Sequence, residues 1–461
     1  MNQSVIPVVN PFDGSSLGEV PRMDATEVDA AIGRATAVLP ALAQLPAFER
    51  AGILSRTAAS LRSNAPDLAA GIVRETGKTI REAAAEVGRA AGIFDFAAGE
   101  AQRLHGETVP FDAFPNGVGR VGWWIREPVG VVAAIVPWNV PLALAAHKVA
   151  PALAAGCPVI IKPAEQTPFN AIELHRALAE AGAPVDSVQV VTGLGDEAGA
   201  ALVRHPGISF VSFTGSHEVG MQIPAKAGYK RVALELGGNS PALVMPSANI
   251  AAAAKGIVSG GFAVAGQLCI SVQRVIVHEA AAAALVQSLL PLVAALNVGD
   301  PMDPATDVGT LIDQPACNRV AALVDSARAA GARMLVGGSR IGYGAFLPTV
   351  LSEVSRETPA AVDEAFAPLV MVMVCRSLED GIALANATPY GLNAGIYTAD
   401  VHEAFRAIRE LKFGSVMIND TPSFRSDLMP YGGRKQSGLG REGVRFAMEE
   451  MTEMKVVCFN L

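Results

Sequence analysis

Charge is sparse in this chain. Asp, Glu, Lys and Arg make up 17% of 461 residues, against 51% hydrophobic residues. That balance excludes a disordered polar chain and describes a well-packed globular protein, long enough for two or three domains with real cores. Runs of Lys and Arg are absent, and a net charge of −8 with a pI near 5.5 argues against a nucleic-acid binder. Mean hydropathy is positive at +0.34, yet a long unbroken apolar run is missing as well. The most apolar stretch, 129–146, is interrupted by Pro137, Asn139 and Pro141. It reads as a buried strand and turn, not a membrane span. The N-terminus has no basic segment followed by an apolar one, so no signal peptide is expected. Cysteine is scarce: Cys157, Cys269, Cys317, Cys375 and Cys458 are odd in number and widely scattered. Reduced thiols in a cytoplasmic protein fit that usage better than a disulfide framework does. The seven histidines show no zinc-ligand spacing with each other or with the cysteines, so no metal site is expected.

What is present gathers around residues 259–273. Cys269 follows a run of small residues and a Gly266-Gln267 pair, where backbone can come close to a ligand. Upstream, Leu234-Glu235-Leu236-Gly237-Gly238 sets a carboxylate on an apolar strand that runs into paired glycines. A nucleophile needs a base and an electrophilic pocket, and the rest of the chain can be read for them.

Residues 24–104 read as helices, with a cap-like Thr26 and apolar residues at helical spacing through 50–70 and 80–100. Residues 105–126 are punctuated by Gly, Pro and Phe before Trp123-Trp124-Ile125, which predicts an extended, hairpin-like insertion. From 129 a clear alternation begins. Strands are expected at 129–136, 158–161, 188–191, 208–213 and 231–236, and helices at 142–155, 168–181, 196–204 and 216–226. Thr167-Pro168 opens the second of these helices and Gly182 stops it. A further alternating region over 240–420 has strands near 273–278, 370–375, 393–397 and 415–418, and 453–459 reads as one more. Such alternation means a parallel, doubly wound sheet. Ligands on such sheets sit beyond the carboxyl ends of the strands. Asn139, Lys162, Gly195, Ser216 and Glu235 all fall there, which points to a nucleotide-type site.

Six short motifs then occur in order: Pro137-Trp138-Asn139, Lys162-Pro163-Ala164-Glu165, Phe213-Thr214-Gly215-Ser216, Leu234-Glu235-Leu236-Gly237-Gly238, Gly266-Gln267-Leu268-Cys269 and Glu364-Ala365-Phe366-Ala367-Pro368. Met429-Pro430-Tyr431-Gly432-Gly433 and Ser437-Gly438-Leu439-Gly440-Arg441-Glu442 close the series. Over essentially its whole length the chain resembles the aldehyde dehydrogenase superfamily, and its lactaldehyde and phosphonoacetaldehyde dehydrogenase branch in particular. The resemblance implies an α/β fold in three units. Residues 1–104 and 127–233 would form a doubly wound, parallel-sheet NAD-binding domain, and 234–430 an α/β catalytic domain. Residues 105–126 and 444–461 would form a small β oligomerisation arm. An arm with paired tryptophans and a free edge is an aggregation liability unless another subunit covers it, so a homodimer or homotetramer is expected.

The resemblance also assigns roles. Cys269 would attack a small-molecule aldehyde to give a thiohemiacetal, which hydride transfer turns into a thioester. The Asn139 amide, with the backbone N–H of Cys269, would hold the oxyanion. Glu235, its pKa raised at an apolar strand end, would activate water against the thioester. Coenzyme-A-acylating relatives generally lack that Glu, so hydrolysis to a free acid is the expected outcome. An acyl transfer to coenzyme A and a non-catalytic scaffold are the rival readings. Lys162 and Glu165 would bond the adenosine ribose, and a carboxylate there would repel a 2′-phosphate, favouring NAD over NADP. Gly215, Ser216 and Gly220 would open a helix onto the pyrophosphate. Glu364 and Phe366 would grip and flank the nicotinamide ribose. Val136, Pro137, Trp138, Gly195, Phe213 and Leu236 complete the expected cofactor contacts. Beside the nucleophile and the oxyanion amide stand Leu268 and Val140, neither able to pair with a phosphonate or sulfonate. Arg89, His147, Lys148 and Arg425 remain as candidate anion contacts, although His147-Lys148 equally fits a helix face and Arg425 a structural ion pair. This favours a short neutral or hydroxylated aldehyde over an anionic one, with Trp138 and Phe262 narrowing the tunnel.

Overall fold

The computed structural model describes residues 4–461; residues 1–3, at the head of the expected cofactor unit, lie outside the described residues. Two mainly parallel sheets carry the fold. The first has six strands in the spatial order Gly438–Leu439, Arg231–Glu235, Ile208–Thr214, Val131–Ile135, Val159–Lys162 and Val188–Val190. Neighbours run parallel except Gly438–Leu439, which is antiparallel to Arg231–Glu235. The chain starts at Val131–Ile135, builds outward to Val188–Val190, then crosses back to lay Ile208–Thr214 on the other side. That reversal leaves a crevice beyond the carboxyl ends of Val131–Ile135 and Ile208–Thr214, where sheets of this kind take a dinucleotide.

Both faces of this sheet are covered, so its strands are apolar throughout. Val131, Ala133 and Ile135 pack with Val28, Ile32 and Ala35 of the helix Ala25–Gln44. Val132 and Ala134 point the other way, into a core shared with the helices Ile80–Ala101 and Pro141–Ala155. The alternation is the two-residue period of a pleated strand. Pro141–Ala155 is buried along its entire length, which accounts for its alanines and leucines and leaves its first amide donors away from water. A carboxylate meets them. Glu86 Oε1 accepts from Leu142 N at 2.8 Å and Ala143 N at 3.2 Å. Its second oxygen pairs with Lys78 Nζ, both side chains being buried.

The second sheet orders seven strands as Arg333–Val336, Thr349–Ser352, Leu369–Cys375, Val272–His278, Ser240–Val244, Asn393–Tyr397 and Ser415–Ile418. Only Arg333–Val336 runs antiparallel to its neighbour. The helices Ile250–Phe262, Glu279–Ala294 and Gln314–Ala329 pack over it.

Some elements differ from the sequence reading. The helix expected over 216–226 is two short helices, His217–Gly220 and Ile223–Ala227. Pro224 sits in the first turn of the second, where it cannot donate a hydrogen bond to a preceding turn. Helix 196–204 is a single wide turn, Gly195–Gly199, feeding Ala200–Arg204. An antiparallel pair, Val5–Val9 with Ser16–Pro21, precedes the helices. The 105–126 insertion is extended and folds back on itself over a short length: Thr108 bridges Trp123 antiparallel, with Val109 N bonding Gly122 O and Trp124 N bonding Glu107 O. Its strand, Arg120–Pro128, runs past 126 and pairs antiparallel with the chain's end, Thr452–Asn460. Val121, Trp123, Met454, Val456 and Phe459 on this ribbon are exposed. Among the described residues no helix is long and apolar enough to cross a membrane.

Truncating Glu86 would leave the Lys78 ammonium buried without its partner and the first amides of Pro141–Ala155 without an acceptor. The Glu86→Ala variant is expected to lose about 3–5 kcal/mol of stability, read as a lowered thermal or denaturant midpoint; a midpoint equal to that of the parent protein would refute the pairing.

Candidate active site

Cys269 follows a strained turn. Val264 and Ala265 hold φ of 51° and 52° and Gly266 a φ of 70°, three left-handed residues in succession, two of them with side chains that disfavour it. Glu82, on Ile80–Ala101, receives the Val264 N–H on its Oε1 at 2.6 Å. Gln267 is satisfied on every side: its Nε2 donates to Val264 O and Thr310 O, both at 3.1 Å, and its Oε1 accepts from Ile312 N at 3.0 Å. A Cβ on Gly266 would stand 1.9 Å from the Ala367 carbonyl oxygen. The Cys269 loop therefore lies directly on the 364–368 segment, and only glycine fits both the space and the φ.

Asn139 comes to this turn from the first sheet. Its Nδ2 donates to the Gln267 carbonyl at 2.8 Å, leaving the second amide hydrogen free. Gly238 comes from the end of Arg231–Glu235, and a Cβ there would lie 2.2 Å from the Cys269 carbonyl oxygen. Glu235 is buried at the end of that strand, and its Oε2 has no hydrogen-bond partner. Burial raises the Glu235 carboxyl well above the usual carboxylate range, and the neighbouring Glu442 charge adds to it, against the pull of Arg425, Lys148 and Arg441. Cys269 is half-buried. Desolvation pushes its thiol up to about 11, opposed chiefly by a hydrogen bond with Tyr431, whose hydroxyl lies 3.3 Å from Sγ.

The expected cofactor residues line the crevice edge. Lys162 Nζ pairs with Glu165 Oε1 at 2.9 Å, and a Cβ on Gly195 would come within 3.7 Å of that same oxygen. Val136 N bonds Lys162 O, while Pro137 and Trp138 remain partly exposed beyond it. Across the crevice, Gly215 N bonds Glu235 O, fixing the turn after Phe213. Ser216 Oγ accepts from Val219 N at 3.4 Å, so the hydroxyl caps a four-residue helix. Gly220 packs on Leu236 so closely that a Cβ would sit 2.2 Å from its side chain. Glu364 Oε1 accepts from Gly238 N at 2.9 Å. Burial lifts its carboxyl to about 7. Phe366, with φ of 45°, meets Trp138 edge-on at 5.4 Å. A carboxylate–ammonium pair and a glycine-lined turn at the first sheet's strand ends, with a second carboxylate held by Gly238 N, offer partners suited to a dinucleotide's hydroxyls.

The candidate anion contacts are already partnered within the protein. Arg425 donates to Glu442 Oε2 at 3.0 Å and lies 3.6 Å over the Tyr431 ring, with its side chain 6% exposed; it is the structural ion pair, not a free anion contact. Lys148 is buried too, bonding Glu442 Oε1 at 2.7 Å and Ser212 Oγ at 3.1 Å. Arg89 and His147 both converge on Asp427 Oδ1, at 2.7 Å and 2.8 Å. Val140 is the cap residue of Pro141–Ala155 and packs into its core. Leu268 is half-buried beside the thiol, and Phe262 is core. Sequence reading had no role for Tyr431, Asp427 or Glu442, although Tyr431 and Glu442 stand inside the closing motifs.

A model of the aldehyde dehydrogenase family matches residues 1–457. Aspartate-semialdehyde dehydrogenase 1 of Pseudomonas canavaninivorans is 44% identical over 458 residues, 99% of this chain and 97% of that protein. Lactaldehyde dehydrogenase of Methanocaldococcus jannaschii is 37% identical over 461 residues, 99% of this chain and 98% of that protein. The solved structure of glyceraldehyde-3-phosphate dehydrogenase GapN from the same organism, complexed with NADP, superposes with a TM-score of 0.95 at 36% identity, covering 100% of both chains.

His147 gives the site a pH signature. Burial lowers its imidazole to about 4 from 6.5, helped by Arg425 and opposed by the bond to Asp427. A histidine with a depressed folded value contributes stability that is complete above the unfolded value and is lost as pH falls towards the folded one. The thermal midpoint is expected to fall between pH 6.5 and about 4, and His147→Gln to flatten that fall; an unchanged slope in the variant would count against a neutral, buried His147.

Proposed function

The chain belongs to the aldehyde dehydrogenase family, and on that premise we propose that it oxidises a short, neutral or hydroxylated aldehyde to its carboxylic acid, with NAD preferred over NADP. Three observations on distant parts of the chain support the reading: the Asn139 amide is bonded two residues before Cys269, buried Glu235 keeps an unpaired oxygen, and the Glu235 charge bears on the Cys269 thiol. In this reading the Cys269 sulfur attacks the aldehyde carbon to form a thiohemiacetal. Asn139's free amide hydrogen and the Cys269 N–H hold the oxyanion, an interaction whose loss costs about 10²–10³ in rate. A bound dinucleotide supplies the hydride acceptor. Loss of the hydride leaves a thioester on Cys269. Glu235 then takes a proton from water as it attacks that thioester, and the acid is released. A carboxylate kept high by burial is suited to that proton transfer.

Substrate class follows from charge. Arg89 is met by Asp427 and Arg425 by Glu442, so neither cation is left over for a phosphonate or sulfonate. The relative that acts on lactaldehyde supports a hydroxylated substrate, and the one that acts on aspartate semialdehyde keeps a charged one as the rival. Glu165 beside Lys162 supports NAD, because a carboxylate at the ribose repels a 2′-phosphate; the related structure complexed with NADP makes this the finer part of the proposal. Residues 1–104 with 127–233 act in this reading as the NAD-binding unit, 234–430 as the catalytic unit, and 105–126 with 444–461 as the arm through which copies associate.

The test is a panel of lactaldehyde, glycolaldehyde, aliphatic, aromatic, semialdehyde and sulfo- or phosphono-aldehydes, read as NADH and as NADPH formation with and without coenzyme A. The highest kcat/KM is expected for a small hydroxylated aldehyde with NAD, free acid as product, no rate with Cys269→Ala, and a single-turnover burst that then stalls with Glu235→Gln. An acyl-coenzyme-A product, or a sulfo-aldehyde as the best substrate, would replace the corresponding part of the reading.

The exposed Trp123, Val456 and Phe459 ribbon is expected to be covered by a second copy. Sedimentation at micromolar concentration should show a dimer or tetramer; a monomer would remove the arm's assigned role.

A further inference from the structure

Tyr431 is among the largest side chains fully closed off from water, at 1% exposure. A buried hydroxyl left without a partner is costly, so where it points is informative. Among the described residues its one hydrogen-bond partner is Cys269 Sγ, at 3.3 Å. The ring's position is overdetermined. Tyr431 and Glu442 exchange both backbone hydrogen bonds, Tyr431 N to Glu442 O at 3.0 Å and Glu442 N to Tyr431 O at 2.7 Å. The Arg425 guanidinium lies 3.6 Å above the ring and is itself fixed by Glu442, which Lys148 holds from the other side. Ile270, Leu392 and Met429 pack around the phenol. A hydroxyl held this firmly against one sulfur does not behave as a passive filler of space.

We propose that Tyr431 is a catalytic residue whose hydroxyl donates a hydrogen bond to the Cys269 sulfur and stabilises the thiolate that attacks the aldehyde, with Arg425 stacked on its ring as the positioning residue. The proposal rests on the reading of Cys269 as the nucleophile. In the step concerned the thiol loses its proton to solvent water while Tyr431 keeps its own on oxygen. Burial holds the phenol well above its ordinary pKa, so the donor stays protonated wherever the enzyme works. The other charged groups bearing on the sulfur are Glu364 and Glu235, which oppose the thiolate, and Arg425, which favours it. Tyr431 is thus the group that offers the thiolate a directional contact, and hydrogen bonds to charged groups are the strong ones.

The test follows the Cys269-bearing peptide by mass during iodoacetamide alkylation across pH, which separates it from the exposed thiol of Cys458. Tyr431→Phe keeps the ring and the stack. It is expected to move the alkylation midpoint upward and slow alkylation about tenfold to a hundredfold near neutral pH, the two proteins converging at high pH. A stronger donor at the same place, 3-fluorotyrosine, should move the midpoint down. A merely structural hydroxyl would shift the melting temperature and leave both midpoints where they were, and that result overturns the proposal. Cys269→Ala keeps the two failures apart: if it still forms NADH the nucleophile assignment falls, whereas a dead Cys269→Ala with an unmoved Tyr431→Phe midpoint sinks only the role of Tyr431.

Discussion

Three carboxylates on two adjacent N-terminal helices, Glu75 and Glu86 buried and Glu82 half-buried, hold the site's parts in register. Glu75, near the end of Ala65–Thr76, receives the Phe169 and Asn170 amides at the start of Pro168–Glu180, the helix that follows the Lys162–Glu165 turn. Glu82 receives Val264 N on the turn before Cys269, and Glu86 receives the first amides of the helix that follows Asn139. Each exploits the same physics: the first amides of a helix or a strained turn need an acceptor, and an anion is favoured there. The cost is desolvation. Burial lifts Glu75 to about 8 even though three hydrogen bonds pull the other way. Glu86 meets the same cost with the Lys78 ammonium. The Lys162–Glu165 turn, Cys269 and Asn139 are thereby referred to one pair of helices instead of to one another.

That anchoring explains how a strained turn survives beside Cys269. Left-handed backbone at Val264 and Ala265 costs on the order of 1–3 kcal/mol per residue and persists only where its surroundings overdetermine it. Here Glu82, the full set of Gln267 bonds and the contact of Gly266 with Ala367 do so. The same contact ties the thiol's loop to Glu364 and Phe366. A shift at Glu364–Phe366 would be felt at the sulfur through packed backbone.

The first sheet's central strands were legible because they are buried on both faces and read as unbroken apolar runs, and its strand ends carried Asn139, Lys162 and Glu235 as expected. Other elements were not. Ser240–Val244 is short and contains Pro241, and Thr349–Ser352 lies between irregular segments, so neither announces itself by period. The arm strand makes the short hairpin-like bridge that its sequence suggests, but its long partner is Thr452–Asn460, and nothing local encodes that second pairing. Within the site, residue types were readable and their partners were not. Arg89 and Arg425 look like cations waiting for an anion; the carboxylates that meet them, Asp427 and Glu442, are brought there by the fold alone. Glu86, flanked by alanines and a valine on an otherwise apolar helix face, was the one visible hint that a buried charge had structural work.

The division of labour between Glu235 and Glu442 follows from the same partnering. Both carboxylates are buried in one neighbourhood and each raises the cost of charging the other. Burial works against Glu442 as well, but Lys148 and Arg425 both bond it and hold its carboxyl well below the usual range. Those cations are then committed, and Glu235 keeps an oxygen with no partner. Pairs of like groups pushed apart in this way mark distinct chemical duties. Glu442 is the permanent anion that fixes Arg425 over Tyr431. Glu235 is the carboxyl left without an ion pair, raised by burial and with one oxygen unpartnered. Exchanging the two would leave the ring unsupported and the carboxyl of Glu235 immobilised in an ion pair.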